Sequence, residues 1–238
     1  MKMLGLICLA GVLSSCETVP KRVEPPDPPK FTKKTVNIKK GFTIAKNFNP
    51  PIGTYNSKTN VWDLGGGTLE LSGGHCSNKE SGERVTVELD GITIQNGCIA
   101  KMEDGLTIKS KNVTLKSLLF LACEDAVVTT EGCENFKIVK CYFMPHEGKE
   151  SSEVFKGDKM AQLNVTKGQN LIEDSIFYDA MNGIRHGLKK YKNLEGETTI
   201  RKNKFYYIGT AIQKTNGKVN IESSNKYYGV REEYKESE

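Results

Sequence analysis

Beyond its first thirteen residues the chain has no long apolar run. That excludes a membrane-spanning helix further along, which takes about 20 consecutive apolar residues. No window carries a sustained helical stripe, so a helical bundle is excluded as well. No two cysteines form a C-x-x-C pair, which argues against a zinc site. No known nucleic-acid motif is present, and nucleic acid is not expected as a partner. The formal charge of +5 is only mildly basic, a balance compatible with an acidic polymer. Histidine is scarce: His75, His146 and His186 are scattered along the chain. The single tryptophan, Trp62, reads as a core residue or a cap.

What is present starts with Lys2, an apolar run over residues 4–13, and L-S-S-C ending at Cys16. The run is too short to span a bilayer but has the length of a signal-peptide core. Small residues directly before a cysteine resemble the lipobox of bacterial lipoproteins. That resemblance implies cleavage before Cys16 and lipid attachment to it. Glu17 follows in place of the aspartate linked with inner-membrane retention, so an exported protein at the outer membrane or cell surface is expected. Residues 17–34 hold most of the eight prolines and almost no core-forming residue. Such a run is expected to stay extended and solvated. The expected organisation is a leader over 1–15, a lipidated cysteine and tether over 16–35, one monomeric domain over 36–232 and a charged tail over 233–238. Membrane contact would be through the lipid only.

With Cys8 and Cys16 set aside, Cys76, Cys98, Cys123, Cys133 and Cys141 remain. Export permits disulfides, and the odd count leaves at least one thiol unpaired. One bridge, with the other cysteines buried as apolar residues, is the expectation.

The middle of the chain is a series of short alternating runs rich in Val, Ile and Thr. They include V-T-V-E-L (85–89), L-T-I (106–108), F-K-I-V (136–139) and T-T-I-R (198–201). One phrase recurs: N-V-T-L-K-S-L-L-F at Asn112, N-F-K-I-V-K-C-Y-F at Asn135, and N-L-I-E-D-S-I-F at Asn170. T-T-I-R-K-N-K-F at Thr198 and V-N-I-E-S-S-N at Val219 continue it, with offsets of 23, 35, 28 and about 20 residues. A β-sandwich also has many short strands but does not require one phrase to recur. Stacked units do, because equivalent positions are buried over one another. The predicted fold is all-β, a single-stranded right-handed parallel β-helix (a solenoid), with Asn and Phe forming ladders inside it. The polar insert over 144–158 breaks the repeat and is expected to be a loop beside a site.

Several motifs together resemble the small pectate lyases of polysaccharide lyase family 3. They are W-D-L-G-G-G-T (62–68), D-G-L-T-I-K-S-K-N-V-T-L (104–115) with E-D-A (124–126), D-K-M-A-Q-L-N (158–164) and Y-D-A-M-N-G-I-R-H-G (178–187). The resemblance implies a lyase that cleaves an acidic, uronate polysaccharide such as polygalacturonate by Ca²⁺-assisted β-elimination. It implies Asp104, Glu124 and Asp125 as the calcium carboxylates, hard oxygen donors of the kind Ca²⁺ prefers. It further implies Arg185 as the catalytic base, with Lys159 binding the substrate carboxylate or stabilising the intermediate. Asn182 and His186 are the further substrate-binding candidates. Asn182 stands where family members often carry a lysine, Thr130 where a second is expected, and Thr107–Ile108 where His-Cys is common. The alternative is a β-helix surface lipoprotein that binds polysaccharide without turnover or serves only as structure.

Overall fold

The computed structural model describes residues 22–71, 84–144, 159–164, 167–187 and 196–237. The expectations for the leader, Cys16, Cys76 and the insert beyond Met144 therefore fall outside the described residues.

Among the described residues the chain is all-β. Three short strands come first, β1 (Thr35–Ile38), β2 (Phe42–Ile44) and β3 (Thr54–Asn56). Three pairs of a long and a short strand follow: β4 (Val61–Leu71) with β5 (Arg84–Val87), β6 (Thr93–Ala100) with β7 (Asp104–Ile108), and β8 (Thr114–Leu121) with β9 (Asp125–Thr129). Thereafter strands come in threes. These are β10 (Lys137–Val139), β11 (Tyr142–Met144) and β12 (Lys159–Leu163), then β13 (Gln169–Glu173), β14 (Ile176–Tyr178) and β15 (Asn182–His186). The last two sets are β16 (Glu197–Arg201), β17 (Lys204–Tyr206) and β18 (Thr210–Lys214), then β19 (Lys218–Ile221), β20 (Lys226–Tyr228) and β21 (Glu232–Glu236).

Each strand pairs in parallel with its counterpart in the next set, so three rows run through the molecule. The first row is β10-β13-β16-β19 and the second β11-β14-β17-β20, both joined through β8 to β6 and β4. The third is β2-β5-β7-β9-β12-β15-β18-β21. The antiparallel contact of β3 with β4 stands apart from this pattern.

Parallel pairing in register places like residues over like. In the first row Trp62, Ile94, Leu115, Ile138, Ile172 and Ile200 are successive partners, and all are fully buried. Trp62 is thus a core residue, its Nε1 donating to Ile52 O at 2.8 Å. In the second row the rings of Phe120, Phe143, Phe177, Phe205 and Tyr227 stack with centroid separations of 5.0, 4.6, 5.0 and 5.3 Å. The spacing of neighbouring strands, about 4.8 Å, is also a favourable distance for stacked rings.

The corner between these rows carries a polar ladder. Cys141 N donates to Ser175 Oγ (3.1 Å), Ser175 N to Asn203 Oδ1 (2.9 Å) and Asn203 N to Asn225 Oδ1 (3.0 Å). Backbone N–H groups that leave a strand at a buried bend would otherwise lack partners. The same corner uses left-handed backbone at Ser117, Lys140, Asp174 and Lys202, with φ between 50° and 55°. Each such non-glycine residue costs roughly 1–2 kcal/mol, which the ladder and ring stack must offset.

Two expectations are corrected, and a third is narrowed. Residues 233–236, read as part of a charged tail, belong to β21, which pairs with β18. Part of the proline-rich tether lies against the second row: Tyr142 Oη donates to Pro26 O at 3.0 Å and Tyr207 Oη to Val23 O at 2.7 Å. The expected bridge does not involve Cys133 or Cys141, which are buried free thiols pushed up to about 12 by burial.

Candidate functional site

The third row gathers most of the candidate residues. Asp104, Asp125, Lys159 and Asn182 are successive Cα partners at the first position of β7, β9, β12 and β15. The sequence scatters them over nearly 80 positions; register aligns them about 4.8 Å apart per strand. Arg185 is three residues along β15 from Asn182 and is paired with Gln162 and Gln213.

Asp104, Asp125 and Arg185 are half-buried, whereas Thr107 and Asn182 are buried. Thr107 Oγ1 donates to Asp104 Oδ2 at 3.3 Å, so the first and fourth positions of β7 share a side. By register Asn182 and Arg185 occupy the same two positions on β15. The position between them, Leu106, Val127, Ala161, Ile184 and Ile212, is fully buried in the core.

The second position of these strands is small for a packing reason. A Cβ on Gly105 would stand 2.5 Å from Ala126 O, and one on Gly183 2.7 Å from Ala211 O and 3.0 Å from the Phe205 ring. The glycines of the D-G and N-G phrases are therefore sites of close approach inside strands.

The acidic side of the row is paired within the protein. Arg84 Nη1 lies 3.0 Å from Asp104 Oδ2. Glu124 N donates to Met102 O and Asp125 N to Glu103 O, which sets Glu124 and Asp125 over Glu103 and Asp104. Among the described residues, however, no group of three His, Cys, Asp or Glu side chains is placed to hold a metal ion. The oxygen donors are of the right type for calcium, but their arrangement does not fit a preformed site.

The basic side has unused capacity. Arg185 Nε and Gln162 Oε1, on paired strands, are buried atoms without a hydrogen-bond partner among the described residues. An unsatisfied buried polar atom costs about 1–3 kcal/mol. The Arg185 side chain as a whole is half-buried, and a guanidinium suits a carboxylate by its fork of donors.

His186 does not belong to this face. It is fully buried, with Nδ1 2.8 Å from Asn216 O and Nε2 3.0 Å from Thr198 Oγ1. Facing a carbonyl, Nδ1 must donate, which leaves Nε2 to accept from the threonine hydroxyl. Burial lowers its pKa, favouring this neutral form. The candidate substrate contact is thus an internal strut between β16 and the bend that follows β18.

The residues missed from sequence are Arg84, Gln162 and Gln213, whose only signal is register with Asp104 and Arg185. Also missed is an open depression of about 630 Å³ at β2, lined by Lys39, Lys40, Lys46, Phe42 and Phe48. It is remote in sequence from the third-row candidates. Comparison with protein-family models, with curated proteins and with solved structures finds no match.

Proposed function

We propose that the three rows are the faces of a right-handed parallel β-helix. Its third face binds an acidic, uronate-containing polysaccharide and cleaves it by β-elimination at the cell envelope, where a lipid on Cys16 holds the chain. The observation that carries this reading is the unsatisfied Arg185 Nε beside Gln162 Oε1, aligned with the Lys159 and Asn182 positions on adjoining strands.

In this proposal Lys159, Asn182 and Arg185 all hold the uronate sugar, and Arg185 also removes the C5 proton. The electron pair of the C5–H bond becomes the C4–C5 double bond as the C4–O bond breaks, and the departing oxygen takes up a proton. General-base removal of a proton quickens as more of the base is deprotonated, so the rate is expected to climb into the alkaline range. Calcium enters as an expectation of the resemblance, carried by Asp104, Glu124 and Asp125. Among the described residues those carboxylates do not converge on one point.

A second reading is favoured by the Arg84–Asp104 ion pair, which commits one carboxylate of the acidic group to a structural contact. In that reading the face binds polymer without turnover.

The two readings separate in one assay. The mature chain is incubated with polygalacturonate, with calcium or with a chelator, from neutral to alkaline pH, and unsaturated product is followed by ultraviolet absorbance. Product that requires Arg185 supports the lyase, and its loss on chelation brings calcium with it. Binding without product supports the second reading. Neither binding nor product overturns both.

A further inference from the structure

We infer that the outer side of the second row is a docking surface for a polyproline-II segment, and that residues 22–31 of this chain are its occupant. Inward positions of this row carry the phenylalanine stack; outward positions carry tyrosines. Tyr178, Tyr206 and Tyr228 are successive partners, and the rings of Tyr206 and Tyr228 stack at 4.6 Å. Together with Tyr142 they form a separate cluster, against which Phe31 and Tyr207 pack. Tyr142, Tyr178 and Tyr206 are each more than nine-tenths buried, although they lie outside the main core.

The segment above them reads P-P-D-P-P over residues 25–29, which contains the P-x-x-P spacing twice. Polyproline II has three residues per turn and leaves its carbonyls without internal partners. Val23 O and Pro26 O are three residues apart, one turn, and accept from Tyr207 Oη (2.7 Å) and Tyr142 Oη (3.0 Å). Arg22 lies 4.1 Å over the Tyr207 ring, and its Nη2 donates to Tyr178 Oη at 3.5 Å. Aromatic rings that grip one face of an extended proline-rich chain, with hydroxyls on its carbonyls, are a general mode of polyproline recognition.

The segment runs against the order of the strands. It meets Tyr207 after β17 at its start, and at its end Thr68 N of β4 donates to Lys34 O at 2.7 Å. The N-terminal end of the arm therefore leaves the domain beside its later strands. On the lipid-anchor reading, a docked arm leaves only residues 17–21 as spacer, about 17 Å at full extension. A released arm frees residues 17–34, about 56 Å as polyproline II. This consequence rests on that anchor; the docking does not.

The test uses the full chain labelled with 3-fluorotyrosine, with the fluorine resonances of Tyr142, Tyr178 and Tyr207 assigned by Tyr→Phe variants. A second chain carries P25S, P26S, P28S and P29S in the exposed arm. The three resonances are expected to move toward the position of solvated tyrosine in that variant. They are expected to return when a synthetic peptide of residues 20–31 is added at about millimolar concentration, the level a short tether supplies. Resonances that do not move on substitution overturn the docking. Failure of the peptide to restore them overturns the receptor, and a response to a galacturonate oligomer in its place would make the row a sugar-binding strip. None of these readouts involves Cys16 or the third row, so they fail independently of the function proposed above.

Discussion

Phe177 lies between Phe143 and Phe205 with ring separations of 4.6 and 5.0 Å, and no part of it reaches solvent. Phe177→Ala removes both contacts and opens a cavity in the middle of the stack, at an expected cost of about 3–5 kcal/mol in a urea titration. Asn203→Ala leaves the buried Ser175 N–H without its acceptor and removes the Nδ2 donor to Ile172 O, and about 1–3 kcal/mol is expected for the orphaned N–H. His186 gives a pH signature. Its folded pKa lies below the ordinary value of about 6.5, so the unfolded chain binds the proton more readily. The stability contributed by the neutral ring is complete above that value and is lost as pH falls through the folded pKa. The thermal midpoint is therefore expected to fall on acidification more in the native chain than in His186→Gln. The Phe and Asn ladders were legible because they recur in one phrase. The inward turn of His186 was not, because it depends on which residue starts β15.

At the scale of the element, the recurring phrase marks where the first two rows lie. N-V-T-L-K-S-L-L-F contains all of β8 but its last residue, and β8 serves both rows through a left-handed bend at Ser117. That bend was hidden, since serine, lysine and aspartate give no signal for positive φ comparable to glycine's. The glycines that do matter in the third row are strand residues set by close approach. Gly183→Ala would press its new methyl group on Ala211 O and the Phe205 ring, two neighbours that cannot easily move. A loss of about 1–3 kcal/mol is expected, read as a lower thermal midpoint, with the strand that carries Arg185 displaced. The last strand, β21, was hidden by its composition, E-E-Y-K-E. Its charges suit an edge, where an apolar strand would invite pairing with another chain.

At the scale of the molecule, the sequence revealed a chain of stacked equivalent strands but not the path of its N-terminal arm. Composition alone assigns a proline-rich run to solvent, and the tyrosines that receive it are spread from Tyr142 to Tyr228. The candidate site was legible in part for a related reason. Asp104, Asp125, Asn182 and Arg185 could be named one by one, whereas their alignment and the glutamines flanking Arg185 follow only from register. The central claim is that this aligned face takes an acidic polymer through Arg185. Calorimetric titration of a galacturonate oligomer into the native chain and into Arg185→Ala tests it most directly. The account predicts at least a tenfold loss of affinity in the variant, about 1.4 kcal/mol; equal affinity for the two chains, or no heat of binding to either, would contradict it.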